Sequence, residues 1–292
     1  MAKSKSTKKA KAKAKSKAVG PGGVNLQTLD PNFDFAKSVQ IWKGAPGTGK
    51  TTTAAALGVV AEECGIEEEV NPFFILYEKG SGGATLNCTQ QQCPDCEGSG
   101  CESCGDIGNV RMVMSDLKQM HEWHQWAATS PFNPIVIDTA NEMYRVLTDN
   151  ICVRNGVDSP GRAQDQGVTW GDIFNEFRDL HAELVNGDKG VIYLTHLYER
   201  TRRLRGGGEL TEQVVHLSGQ TGPWLTGAAN TILHFDVVPA EEEDSPDKRI
   251  ITCSPYAGIE AKDQFGVYPD ELDRGDSEET AAREILDLFY EL

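Results

Sequence analysis

Eight consecutive residues have the types and the spacing of a phosphate-binding loop. The stretch Gly44-Ala45-Pro46-Gly47-Thr48-Gly49-Lys50-Thr51 fits the pattern G-x-x-x-x-G-K-[ST] at every fixed position. In such loops backbone N–H groups surround phosphate oxygens, the lysine reaches the β- and γ-phosphates, and the last hydroxyl ligates Mg²⁺. We therefore predict that this loop and the following Thr52 bind ATP, with Lys50 on the phosphates and Thr51 on Mg²⁺.

Two acidic residues are candidates for the rest of an ATP-hydrolysing site. Asp138 follows an apolar run and is predicted to hold Mg²⁺ through water; an aspartate that caps a turn is the alternative. In AAA+ ATPases a glutamate normally follows this aspartate and activates the attacking water, whereas this chain has Thr139. The catalytic base must then come from elsewhere. Glu78 ends another apolar run and is the candidate; a surface glutamate is the alternative.

These residues need a sheet whose parallel strands end at one edge. Apolar runs predict strands, and apolar residues at helical spacing predict helices. The predicted strands are residues 38–42, 72–77, 133–138, 191–196, 231–238 and 250–254, and the predicted helices are 52–63, 114–128, 141–152, 172–185 and 277–292. Asp172 is predicted to cap the fourth helix, and residues 153–169 and 199–223 are predicted to be polar loops. This alternation indicates the α/β class, with a mostly parallel central sheet and helices on both faces.

Charge is distributed unevenly along the chain. The 292 residues carry a net charge of −16, yet residues 1–18 contain eight lysines and no acid. The remaining 20 basic residues face 44 acidic residues, which argues against a broad DNA-binding face. We predict a disordered basic tail at residues 1–24, serving either solubility or polyanion binding, and an ATPase domain at 25–292.

The start of the chain and its hydropathy favour a cytoplasmic protein. No apolar run approaches the ~20 residues of a membrane span. The lysine-rich start has no apolar segment after its charges, unlike a secretory signal. We therefore expect no membrane contact.

Five of the eight cysteines lie within residues 81–110, which are poor in apolar residues. Cys93 and Cys96 form one C-x-x-C pair, Cys101 and Cys104 form a second, and the glycines around them resemble the zinc repeats of DnaJ-type chaperones. Four thiolates suit tetrahedral Zn²⁺. We predict a zinc-knuckle insertion at residues 86–110 that holds one structural Zn²⁺, with Cys88 as a possible substitute ligand; disulfides are the alternative.

The segment around Asp138 resembles RecA-family recombinases. Residues 135–145 are similar to their Asp-Ser/Thr strand and following helix, and residues 194–196 are similar to their next strand. Residues 260–269 resemble a C-terminal element of phage-encoded RecA-like ATPases, which include single-strand annealing proteins. The resemblance covers roughly residues 36–272 without the insertion. It implies a RecA-like P-loop NTPase fold and a phage-encoded protein acting in the host cytoplasm.

The same resemblance implies roles for further residues. His196 would sense the γ-phosphate, and Lys262 would act on a neighbouring subunit's ATP, which implies a homo-oligomeric ring or filament. The two polar loops correspond to DNA-binding loops; their arginines are Arg154 and Arg162 in the first, and Arg200, Arg202, Arg203 and Arg205 in the second. A structural histidine, a surface lysine and a solvated charge run are the respective alternatives.

Together these patterns predict an ATP-hydrolysing protein of DNA recombination that acts on single-stranded DNA by annealing or strand exchange. Single-strand binding proteins or replication proteins would be its partners. Two other functions fit the same residues. One is a motor or loader ATPase for a replicative helicase. The other is a nucleotide-dependent switch that hydrolyses little ATP and recruits partners.

Overall fold

The computed structural model describes residues 18–19, 25–26, 34–67, 70–77, 116–239, 247–256, 258–275 and 277–290. The chain divides into two compact units, residues 1–32 and residues 33–292. In the first unit, two short strands, β1 (Ala18–Val19) and β2 (Asn25–Leu26), pair antiparallel. The rest of the predicted tail at 1–24, and the whole predicted insertion at 86–110, lie outside the described residues.

A mixed, mostly parallel sheet forms the centre of the second unit. Its strands are β3 (Val39–Gly44), β4 (Phe73–Leu76), β5 (Ile135–Asp138), β6 (Val191–Thr195), β9 (Thr231–Val238), β10 (Lys248–Thr252), β11 (Lys262–Asp263) and β12 (Glu271–Asp273). Their order across the sheet is β12-β10-β9-β3-β6-β5-β4, with β11 also paired to β9. The strands from β9 to β4 in this order run parallel, while β10, β11 and β12 pair antiparallel.

Helices cover both faces of this sheet, as the alternation of elements predicts. The described helices are α1 (Lys50–Cys64), α2 (Leu117–Thr129), α3 (Ala140–Asn155), α4 (Val168–Asn186), α5 (Thr221–Ala228) and α6 (Glu278–Tyr290). Helices α2 to α5 pack in one apolar core, and α1 and α6 pack in a second core on the opposite face. The α/β class of a P-loop NTPase is therefore confirmed. No helix in the described segments is both long enough and apolar enough to cross a bilayer.

The predicted polar loop at residues 199–223 is wrong for most of its length. Strands β7 (Leu197–Arg203) and β8 (Glu209–Val215) form an antiparallel hairpin, and α5 begins at Thr221. The hairpin pairs with itself and carries mostly exposed polar side chains, so it shows no apolar face by which a strand is recognised. We call residues 197–215 the arginine hairpin.

The loop predicted at residues 153–169 is shorter than expected, and the predicted cap at Asp172 is wrong. Helix α3 continues to Asn155, and α4 begins at Val168 directly after Gly167. Asp165 accepts hydrogen bonds from the N–H groups of Gly167 and Thr169 and so holds the start of α4. Asp172 lies inside α4, where it accepts a hydrogen bond from the Asn155 side chain.

Candidate functional site

The phosphate loop joins a buried central strand to the N-terminus of α1. Helix α1 begins at Lys50, with no side-chain cap and no acidic residue in its first turn, so the N–H groups of that turn and the helix dipole favour an anion. Gly49 precedes it at φ 91°, a conformation that glycine adopts without strain. At Gly44 a Cβ atom would come within 2.4 Å of the Phe235 carbonyl oxygen, so no larger residue fits there.

Polar side chains of the loop hold its own carbonyl groups. The Lys50 ammonium is buried and donates to the carbonyl oxygens of Gly44 and Ala45, both at 2.9 Å. The Thr48 hydroxyl donates to Ala45, and the Thr52 hydroxyl donates to Gly49. These contacts keep the lysine folded over the loop, within reach of a phosphate group that enters it.

The predicted Mg²⁺ ligands meet at the mouth of this loop. The Thr51 hydroxyl donates to Asp138 Oδ2 at 3.1 Å, although the two residues are 87 positions apart in the sequence. Asp138 is fully buried at the end of β5. A hydroxyl and a carboxylate side by side are hard oxygen ligands of the kind Mg²⁺ prefers, so these two residues fit that ion.

The end of β6 lies between the loop and Asp138. Strand pairing places Thr195 beside Lys43 of β3 and Leu194 beside Asp138 of β5. His196, the next residue, is therefore at the same edge of the sheet as the phosphate loop. This is the edge that the prediction of a phosphate-sensing histidine requires.

The Asn141 side chain joins this edge to both ends of the arginine hairpin. Its Oδ1 accepts the His196 N–H at 2.8 Å, and its Nδ2 donates to the His216 carbonyl at 2.6 Å. His196 precedes the hairpin, His216 follows it, and their backbones are hydrogen-bonded to each other. Since Asn141 lies in the first turn of α3, three residues after Asp138, the hairpin is attached next to the predicted Mg²⁺ ligand.

The arginines of the hairpin are held by carboxylates rather than displayed on a free loop. Arg200 and Arg202 both pair with Glu212, at 2.8 and 2.9 Å, and Arg203 pairs with Glu209 at 3.5 Å. Arg205 is exposed in the turn. The side chains still lie on the surface, so these ion pairs orient the guanidinium groups at little energetic cost.

The other predicted DNA-binding and trans-acting residues are more scattered. Arg154 lies in the last turn of α3 and pairs with Glu176 at 3.1 Å, while Arg162 is exposed in the loop before α4. Lys262 donates to the carbonyls of Gly227 and Ala229 at the C-terminal end of α5. Its partner in β9 is Ile232, so Lys262 lies at the sheet edge opposite its own phosphate loop.

Several predicted residues lie outside the part of the chain that the structure describes. These are Glu78, the predicted base, and the cysteines Cys88, Cys93, Cys96, Cys101 and Cys104. Within the described ranges, no three His, Cys, Asp or Glu side chains gather into a metal site. The zinc site and the base therefore stay predictions.

A buried polar cluster lies beside the phosphate loop, and it was not predicted from the sequence. Lys43, the residue before Gly44, is fully buried and donates to the Gln213 carbonyl of β8 at 2.7 Å; Glu260 lies 3.9 Å away. Burial lowers the pKa of Lys43 to about 8, although Glu260 opposes this. Its β-sheet neighbour His234 is also buried, and burial followed by the Lys43 charge lowers its pKa to about 4. A lysine inside an apolar strand was the available signal.

Two arginines on the other flank of the loop were also missed. Arg274 is 2% exposed, and a Cβ atom on Gly49 would lie 2.5 Å from its guanidinium carbon. Arg249 Nη1 lies 3.5 Å from the Gly47 carbonyl oxygen. Arg249 is 202 positions from Gly47 in the sequence, and Arg274 is farther still, so no local motif connects either with the loop.

One protein family and a number of solved structures are similar to this chain. None of the curated proteins compared with this chain matches it. One similar solved structure is the crystal structure of a KaiC-like protein from the hyperthermophilic archaeon Pyrococcus horikoshii OT3, with 17% identity, a TM-score of 0.39, and coverage of 74% of this chain and 77% of that chain. A family model described as "AAA domain" matches residues 36–265, the segment that contains the phosphate loop, Asp138 and the arginine hairpin. The chain belongs to the AAA domain family.

Proposed function

We propose that this protein is a RecA-like ATPase that couples ATP hydrolysis to single-stranded DNA bound at the arginine hairpin. The observation that carries the proposal is the double hydrogen bond of Asn141, which ties both ends of the hairpin to the edge where ATP would lie. A change in the position of His196 on the γ-phosphate would thereby reach the hairpin directly. The DNA transaction would be annealing or strand exchange.

The chain's own residues suit ATP binding and turnover. Lys50 would exchange its two loop carbonyls for the β- and γ-phosphates, and Thr51 and Asp138 would hold Mg²⁺, which neutralises charge on the transferred phosphoryl group. His196 would contact the γ-phosphate from β6. Glu78 directly follows Tyr77, whose N–H donates to the Asp138 carbonyl, and remains our candidate for the base that orients water.

The hairpin offers both elements that single-stranded DNA needs, cations and an aromatic surface. The four arginines of the hairpin would contact phosphates. Arg200, Arg202 and Arg203 would exchange the carboxylates of Glu212 and Glu209 for them, and the exposed Arg205 would add a contact from the turn. The exposed Tyr198 ring stacks on His216 with 5.5 Å between ring centroids and 16° between planes. It borders a groove of about 620 Å³ in which a base could stack.

Assembly and partners extend the proposal. Lys262 lies at the edge of the sheet away from its own loop, so it could reach only a neighbouring subunit's ATP; a ring or filament of identical chains would bring it there. In this arrangement Lys262 would release the two carbonyls that it now holds. Single-strand binding or replication proteins, in a phage-infected host, remain the proposed partners.

Steady-state ATP turnover with and without single-stranded DNA tests the proposal. DNA should stimulate turnover, and the triple variant Arg202→Ala, Arg203→Ala, Arg205→Ala should lose this stimulation. In the variant, the slope of log binding constant against log salt concentration should become shallower by about 0.7 for each lost phosphate contact. Arg283→Ala is the matched control, because Arg283 is a half-exposed arginine paired with Glu63 on the opposite face of the sheet.

The outcomes separate the alternatives. Stimulation only by forked DNA together with a helicase would favour a motor or loader. Nucleotide binding without turnover would favour a switch. DNA binding that the triple variant leaves unchanged would refute the hairpin as the DNA site.

A further inference from the structure

Arg274 is a buried cation packed directly against the phosphate loop. Its guanidinium occupies the space where a Cβ atom on Gly49 would lie. It pairs with Glu278 at 2.9 Å through Nη2. Nε and Nη1 are buried and have no hydrogen-bond partner among the residues that the structure describes. Buried guanidinium N–H groups are normally hydrogen-bonded, so Nε and Nη1 are two donors available to a further acceptor.

Arg249 brings a second guanidinium to the same side of the loop. It is exposed, its Nη1 lies 3.5 Å from the Gly47 carbonyl oxygen, and its own carbonyl accepts the Arg274 N–H at 3.0 Å. Within the described part of the chain, Glu278 is the carboxylate paired with Arg274, and Arg249 has no ion pair. The two guanidinium groups thus carry one more positive charge than the single carboxylate beside them balances, although the protein as a whole has a net charge of −16. This local excess favours the binding of an anion.

The positions of Arg249 and Arg274 relative to the sheet indicate which part of a bound nucleotide would lie near them. Thr51 and Asp138 mark the Mg²⁺ and γ-phosphate end of the site, on the side of β6 and β5. Arg249 lies on β10, and Arg274 directly follows β12, so both lie across β3 on the opposite side. A triphosphate that starts at Asp138 and follows the loop therefore has its α-phosphate and nucleoside toward the two arginines.

We propose that Arg249 and Arg274 form a second cationic element of the nucleotide site, which recognises the α-phosphate end of a nucleoside di- or triphosphate. Arg249 donates to the α-phosphate directly. Arg274 is a positioning residue that fixes the loop at Gly49 and adds its charge from behind. The inference rests on the proposed binding of ATP and adds a phosphate contact that the G-x-x-x-x-G-K-[ST] pattern does not contain.

Equilibrium binding of fluorescent ATP and ADP analogues to the full-length chain tests this. Arg249→Gln should weaken both nucleotides by the same factor, on the order of tenfold for one lost charge-assisted hydrogen bond, because the α-phosphate is common to both. Arg274→Gln should weaken both as well, and Arg274→Lys, which keeps the charge, should recover part of the loss. Arg283→Gln is the control, because Arg283 lies on α6 but pairs with Glu63 at the far end of α1.

The results distinguish this inference from the proposed function. If the wild-type chain binds neither nucleotide, both are refuted. If the wild type binds and Arg249→Gln binds equally well, the inference alone is refuted. Melting temperatures measured alongside identify a merely structural Arg274, for which glutamine and lysine variants would lose stability to the same degree and bind nucleotide as the wild type does.

Discussion

Replacing Lys43 by methionine should leave the protein at least as stable at pH 7 and should weaken the coupling between ATP and DNA. Lys43 is fully buried, and its pKa is lowered from 10.5 to about 8. That difference means that keeping the charge in the folded state costs about 3 kcal/mol at neutral pH. Methionine has a similar length and no charge, so it removes this cost.

The variant also loses a favourable contact, which sets the net result. The Lys43 ammonium donates to the Gln213 carbonyl at 2.7 Å, and leaving that carbonyl unpaired costs about 1–3 kcal/mol. The free energy of unfolding at pH 7 should therefore stay level or rise by up to about 2 kcal/mol. The functional loss has a different cause: the hairpin loses its contact with the strand that leads into the phosphate loop and keeps only its attachment through Asn141.

The pH dependence gives this prediction its sharpest test. Between pH 8 and 10.5 the unfolded wild-type chain binds a proton at Lys43 that the folded chain does not, so wild-type stability gains from rising pH there. The variant lacks this gain. Its free energy of unfolding relative to that of the wild type should fall by about 3 kcal/mol across that range. The contributions of all other titrating groups are the same in both proteins and cancel in this difference.

Urea unfolding at pH 7, 8, 9 and 10 measures both quantities. Lys37→Met is the matched control, because Lys37 is an exposed lysine paired with Asp188 on the surface. A loss of more than about 2 kcal/mol at pH 7, together with a pH profile parallel to that of the wild type, would refute the reasoning about Lys43.

Two further predictions concern other parts of the chain. Burial lowers the pKa of His121, but hydrogen bonds to Glu183 and Glu176 outweigh it and raise the pKa above 6.5. The resulting stabilisation is full below pH 6.5 and is lost as pH rises through the raised pKa. In urea unfolding, His121→Gln should therefore have a lower free energy of unfolding than the wild type at pH 6 and nearly the same one at alkaline pH. A difference that stays constant with pH would contradict this. The two C-x-x-C pairs in residues 93–104 predict about one Zn²⁺ per purified chain by elemental analysis, and a metal-free protein would contradict that.

The nucleotide site could be predicted where its signals are local. The loop, Lys50 and Thr51 follow from eight consecutive residues, and Asp138 follows from the apolar strand before it. Thr51 meets Asp138 because the parallel strands β3 and β5 end at the same edge of the sheet. By contrast, Arg249 and Arg274 reach the loop through antiparallel strands near the end of the chain, and no spacing rule connects them to it.

The arginine hairpin shows why the loop prediction at residues 199–223 was wrong. Its strands bury little, so they lack the alternation of apolar and polar residues that indicates a strand. The useful signal was different: Arg203 and Glu209 each lie three residues from Gly206, and Arg200 and Glu212 each lie six residues from it. Such spacing is typical of cross-strand ion pairs about a glycine turn.

ATP turnover by the wild-type chain and by Lys50→Ala, each with and without single-stranded DNA, tests the central claim most directly. Lys50 is buried over the loop, and its ammonium is the group that would neutralise the β- and γ-phosphates. We predict that the wild type hydrolyses ATP faster with DNA and that Lys50→Ala hydrolyses none under either condition. Equal turnover by the two proteins, or wild-type turnover that ignores DNA, would contradict the account.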